Sequence, residues 1–176
     1  QYMVDESLVA HLKRTVGNEL EGEYRKLLDY ADNETSLTEQ QMLAIMQSLY
    51  NCKILDPACG SGAFPVGVLQ QMVHILKQID PDNSRWKNML LQFAIDETSE
   101  AYLTSTAEER REAVADIERA FDENVNYPDY ARKLHLIENC IYGVDIQPIA
   151  IQISKLRFFI SLVIDQKRNN NPADNF

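Results

Sequence analysis

Two carboxylates and two glycines carry the chemistry most readily read from this sequence. In the stretch Lys53 to Met72, KILDPACGSGAFPVGVLQQM, a short apolar run ends in Asp56, bends through Gly60 and Gly62, and enters a helix-like segment. Glycine takes backbone angles closed to other residues and lets a ligand approach the main chain. A strand–glycine turn–helix unit also gathers N–H groups at a helix start, a natural seat for a small cofactor. The phosphate-binding versions of this unit do not fit. A dinucleotide fingerprint, G-x-G-x-x-G, needs a third glycine where Pro65 stands, and a P-loop needs a lysine that does not follow Gly62 in the loop.

Asp56 at the strand end would repel a pyrophosphate and favour a ligand with cationic groups. S-adenosylmethionine has that character, with a sulfonium and an ammonium against one carboxylate. A second apolar run, Cys140 to Ile146, CIYGVDI, places Asp145 at a neighbouring strand tip. A carboxylate there can accept hydrogen bonds from both hydroxyls of a ribose. The usual spacing from glycine motif to ribose acid is roughly 20 residues. Here Asp145 follows Asp56 by 89 residues. An acidic helical insert accounts for the excess, since long surface insertions cost little closure entropy.

The elements that must position these groups follow from hydrophobic spacing. Tyr2 to Val16 reads as a helix with Val4, Leu8, Val9 and Leu12 on one face, and Leu20 to Tyr30 as a second. Thr38, with Gln41 three residues on, forms a capping-box pattern opening a helix through Leu49. CKIL is a short strand, and Ala63 to Ile79 a helix with Pro65 tolerated in its first turn. Residues 80–84 read as a loop, and residues 85–137 as helical in about three pieces, with Pro128 at one boundary. CIYGVDI is a second short buried strand. Pro148 then starts a helix with Ile149, Ile153, Leu156, Ile160 and Val163 at helical spacing, and with Phe158 and Phe159 expected in the core. The predicted organisation is a helical lead-in (1–50), strand, glycine loop and helix (51–79), an acidic helical insert (80–138), strand and helix (139–166), and a polar loop (167–176). Strands alternating with helices argue for an α/β fold with a parallel sheet.

The 176 residues suffice for one domain with a core, and no apolar run approaches the ~20 residues that span a bilayer. The chain opens at Gln1 inside a helix-like segment, which reads as an internal piece of a longer protein. Cys52, Cys59 and Cys140 lack metal-ligand spacing and fit reduced thiols in a cytoplasm. The formal charge is −10, and nucleic-acid surfaces are usually basic, so this piece is a poor candidate for gripping DNA or RNA by itself. Residues 80–138 hold 14 acidic and 7 basic side chains, which predicts a water-facing segment. His11, His74 and His135 stand singly on helices, and no histidine neighbours Cys59 in sequence, so metal and nucleophilic roles are disfavoured.

DPACGSGAF, residues 56–64, resembles the cofactor motif of adenine-N6 DNA methyltransferases, and IYGVDIQPIAIQISKLRFFISL, residues 141–162, resembles their next strand and helix. YMVDESLVAHL resembles the helix that follows an aromatic–Thr–Pro cofactor-contact motif in these enzymes. With the long helical insert, the combination is most similar to the methyltransferase region of bifunctional, type IIG-like bacterial restriction–modification enzymes. The resemblance implies a partial Rossmann-like S-adenosylmethionine-dependent fold, holding its first two strands. It implies that Asp56 contacts the methionine end, that Pro57, Ala58, Cys59, Gly60 and Gly62 line the loop, and that Phe64 packs beside the cofactor. It implies that Asp145 holds the ribose and Ile146 lies against the adenine. The family's catalytic Asn/Asp-Pro-Pro-aromatic motif, whose aromatic stacks on a flipped base, has no match: Asn171-Pro172 is followed by Ala173 and Asp174. The expectation is a chain inactive alone, whose parent engages DNA through other parts, and whose open sheet edge drives self-association. RNA or protein-glutamine methyltransferases, and a non-catalytic helical interaction module, stay open as alternatives; a nicotinamide-dependent dehydrogenase is disfavoured by Asp56 and Pro65.

Overall fold

A computed structural model describes residues 2–31, 34–96 and 104–167. The Asn171-Pro172 reading lies outside them. In order, the elements are α1 (Tyr2–Thr15), a 3₁₀ turn (Asn18–Leu20), α2 (Glu21–Leu28), α3 (Glu39–Tyr50), β1 (Ile54–Asp56), α4 (Ala63–Ile79), α5 (Ser84–Ile95), α6 (Ala107–Ala120), α7 (Asp129–Asn139), β2 (Ile141–Gly143) and α8 (Pro148–Val163). Strands β1 and β2 pair in parallel, with Ile54 opposite Ile141, Leu55 opposite Tyr142 and Asp56 opposite Gly143. The described residues are thus mostly helical around a two-stranded parallel sheet.

Helix α4 is the centre of the core. It is apolar on most sides and buries Val68, Leu69, Met72, Ile75, Leu76 and Ile79. Against it lie the predicted α1 face of Val4, Leu8, Val9 and Leu12, and Tyr24, Leu27, Ile45, Met46 and Leu49 from α2 and α3. The Thr38 cap forms as its pattern requires: its hydroxyl accepts from the Gln41 N–H (3.3 Å), and Gln41 Oε1 accepts from the Thr38 N–H (2.8 Å). A second capping box, Thr106 with Glu109, opens α6 in the same way.

The insert is anchored rather than wholly solvated. Helix α6 buries no residue, but α5 buries Trp86, Leu90 and Ala94, and α7 buries Ala131, Arg132 and Leu136. The loop before α5 is fixed by the buried Asp80, whose carboxylate accepts from the N–H groups of Arg85 (3.2 Å) and Trp86 (2.9 Å). The fully buried Arg132 guanidinium donates to the Asp80 carbonyl and to Asp129 Oδ1 (3.1 Å). Burying a charge is tolerated only with such partners.

Two sequence expectations are corrected. The run 140–146 is a strand only over Ile141–Gly143, and it is not buried: Tyr142 and Val144 are exposed, as is Leu55 on β1. Strand side chains alternate between faces. Ile54 and Ile141 pack on the core, while Leu55 and Tyr142 point to the other face, which no described element covers. Likewise α8 forms, but Ile149, Ile153, Leu156, Ile160 and Val163 lie on its open side, together with Phe159. The helix meets the core through Ser154 and Phe158 instead.

Candidate functional site

The residues after β1 build a tight bend from local hydrogen bonds. Asp56 Oδ1 accepts from the Ala58 N–H two residues on (3.1 Å), an Asx-type turn. The Gly62 N–H donates to the Cys59 carbonyl (2.8 Å). Gly60 and Gly62 both have positive φ, +53° and +82°, the left-handed region glycine enters without a Cβ penalty. Gly62 then serves as the N-cap of α4.

Strand pairing brings the second acid to this bend. The Val144 N–H donates to the Asp56 carbonyl (2.9 Å), and the Cys59 N–H to the Val144 carbonyl (3.0 Å), so the sheet continues as a clasp between loop and β2. Asp145 Oδ2 accepts from the Gly60 N–H (2.9 Å), and its Oδ1 from the Gln147 N–H (2.8 Å). Each carboxylate oxygen keeps further acceptor capacity. Cys59 lies buried under this clasp. Burial first, then the Asp56 and Asp145 carboxylates, push its thiol above the usual range, which opposes a nucleophilic role and sets both acids beside one sulfur. A Cβ on Gly143 would stand 3.0 Å from Cys59 Sγ and 3.1 Å from its Cβ, a tight contact that a side chain there could take up only if Cys59 shifted.

The two loop glycines face different surroundings. A Cβ on Gly62 would run into Ser154 Oγ of α8, so this glycine serves helix packing. A Cβ on Gly60 would meet nothing within 4 Å, so that side of the loop opens to space. Helix α8 also reaches the bend through Arg157, whose Nη1 donates to the Ser61 carbonyl (3.3 Å). Sequence reasoning missed Ser154 and Arg157; the only signal was a small polar residue and a cation set in an apolar helix.

Of the predicted site residues, Asp56, Cys59, Gly60, Gly62 and Asp145 come together in one bonded unit. Pro57 and Ala58 are exposed at its rim. Ile146 lies beside it and is 97% exposed. Phe64, in the first turn of α4, is half-buried and packs against the core. The structure accommodates the cofactor class inferred from sequence in two respects: an open approach at Gly60, and an apolar side chain bared next to a carboxylate at a strand tip. Among the described residues no group of His, Cys, Asp or Glu has a metal-binding arrangement, and no helix is long and apolar enough to cross a membrane. All three cysteines are free and buried.

No protein-family model matches the chain, and no solved structure matches it. A protein of Methanocaldococcus jannaschii, named as a candidate type II restriction enzyme and methyltransferase, is 30% identical over 132 residues. That stretch is 75% of this chain and 8% of the relative, so the chain spans a small part of the curated protein it resembles.

Proposed function

We propose that this chain is the cofactor-binding part of a restriction–modification methyltransferase, seating S-adenosylmethionine on the Asp56–Gly62 loop. The observation that carries this reading is the convergence of two strand-tip carboxylates, 89 residues apart, on one positive-φ glycine bend. The name of the M. jannaschii relative supports it from a separate direction.

Each residue then has a physical task. The bound cofactor supplies a methyl group activated by its sulfonium. Asp56 offers negative charge to the cationic methionine end. Gly60 lets the ligand approach the main chain closely. Asp145 holds the loop through the Gly60 N–H and has acceptor capacity left for ribose hydroxyls. Ile146 offers a bare apolar surface for the adenine ring. The acceptor we assign is adenine N6 in DNA, bound by parts of a longer cytoplasmic parent. A wider Rossmann-like sheet in that parent would add strands at the edge, and its crossover helices would cover the open face of β1 and β2, since parallel strands occur almost only in sheets covered on both sides.

Calorimetry with S-adenosylmethionine tests the reading on this chain, on Asp145→Ala, and on a longer natural chain that includes the following strands. Binding that Asp145→Ala weakens roughly tenfold or more is the expected result. A longer chain that binds no S-adenosylmethionine would overturn it.

A further inference from the structure

A basin of about 540 Å³ lies between α1, the end of α3 and the residue preceding β1. Its wall contains Arg14, Lys53 and His11, with neutral polar groups from Thr15, Gln47, Ser48 and Asn51, and it contains no carboxylate. That is unusual surface for a chain with 27 acidic residues and a charge of −10. Among the described residues neither Arg14 nor Lys53 forms an ion pair. Lys53 Nζ donates to the Asn139 carbonyl, which leaves two of its three protons. The neighbouring groove on the same helix, which Arg14 also lines, differs: there Lys13 pairs with Glu21, and Arg25 with Glu6 and Glu21.

The back of the basin is a fixed polar frame. His11 Nε2 lies 3.2 Å from the Ser48 carbonyl oxygen and 3.0 Å from its hydroxyl. The Ser48 and Thr15 hydroxyls are 2.6 Å apart, and Thr15 donates to the His11 carbonyl (2.9 Å). The groups facing His11 are thus Arg14 on its own helix, Lys53 across the basin, and only neutral side chains from α3. Burial, aided by Arg14 and partly offset by the Ser48 carbonyl, holds the imidazole below its ordinary pKa.

We propose that this basin binds a phosphate group, carried by a nucleotide-like small molecule or by a polynucleotide backbone, between Arg14 and Lys53. Two unpaired cations match the charge of about −1.5 to −2 on a phosphate monoester, or two successive backbone phosphates. The planar Arg14 fork suits two phosphate oxygens at once, and Lys53 acts as a point charge. The volume exceeds what a bare anion fills, so a larger body attached to the phosphate has room. Lys53 precedes β1 and Asp56 ends it, so the basin sits at the opposite end of the strand from the glycine loop. The inference is therefore independent of the methyltransferase reading.

The test is nuclear magnetic resonance of the His11 ring during titration with inorganic phosphate and, separately, with a 12-base-pair DNA duplex. Sodium chloride of matched ionic strength is the control. Binding is expected to raise the His11 pKa by about half a unit or more, because an added anion favours the imidazolium. Arg14→Gln combined with Lys53→Gln is expected to weaken the response about tenfold. Both side chains belong to exposed residues, so an unchanged melting temperature certifies the fold of the double variant. A response to inorganic phosphate supports the site and assigns a small-molecule source. A response to the duplex alone supports it and assigns a polynucleotide source. A ring that neither ligand moves beyond the chloride control overturns the proposal, as does a double variant that responds like the native chain.

Discussion

Gly60 and Gly62 adopt the same left-handed backbone for different reasons, and substitution separates them. Gly62→Ala is expected to lose roughly 3 kcal/mol of stability, from left-handed strain of about 1–2 kcal/mol and from overpacking against Ser154. Gly60→Ala has the strain but open space, so its stability loss is expected near ~1–2 kcal/mol, with the larger effect on cofactor affinity. Denaturant unfolding and calorimetry on both variants check this. His135 makes a pH prediction. Its ring stacks on Tyr50 at 4.6 Å and meets Trp86 edge-on at 5.4 Å, and burial pushes its pKa down to about 4. The unfolded chain, with an ordinary value near 6.5, binds the proton first. Stability from this residue is therefore complete above pH ~6.5 and falls as the pH drops toward 4, by up to ~3 kcal/mol. The difference in unfolding free energy between the native chain and His135→Gln, followed from pH 7 to 4, should show that slope. A parallel pair of curves would disprove it.

At the scale of elements, the caps show how far local chemistry reaches. Thr38→Ala removes a hydroxyl that accepts the Gln41 N–H, and is expected to cost about 1 kcal/mol in denaturant unfolding. The sequence pattern Thr-x-x-Gln announces this cap, because its partners lie within one turn. Helix α8 shows the reverse. Its apolar residues run nearly all round the helix, so spacing identified the helix without identifying its covered side. The structure seats the narrow side of Ser154 and Phe158 and leaves Ile153, Leu156 and Phe159 in water. The fit of Ser154 over Gly62 explains the choice, since a bulkier residue there would push α8 off the loop.

For the whole molecule, the open sheet face and the outer side of α8 both bare apolar side chains. Leu55, Tyr142, Val144, Ile149, Ile153 and Phe159 are among them. The occupant we assign for the isolated chain is a second copy, held by these side chains and by unpaired strand edges. Sedimentation equilibrium is expected to show dimers that dissociate in Leu156→Glu combined with Phe159→Glu, with little loss of monomer stability because both side chains are already exposed. A longer chain that supplies the next strands is expected to remain monomeric at the same concentration. A monomeric native chain at high concentration would reject this use of the surface.

What could be read from residue order alone is what short-range physics encodes. Apolar spacing placed the helices, Thr38 and Pro128 marked two starts, and Asp56, Gly60 and Gly62 defined a bend whose hydrogen bonds close within a few residues. Asp145 was legible as a strand-tip acid from its neighbours Gly143 and Val144. That its carboxylate accepts from the Gly60 N–H across 85 residues depends on the folding of β1 against β2. Tertiary packing also decides that Gly62 serves Ser154, and that Phe64 packs against the core. Arg14 and Lys53, 39 residues apart on unrelated elements, share a basin that no spacing rule could anticipate. The physical reason is the same in each case. Backbone preference and periodicity act over a turn of helix or a pair of strand residues, whereas burial, charge pairing and steric fit depend on which elements meet in space.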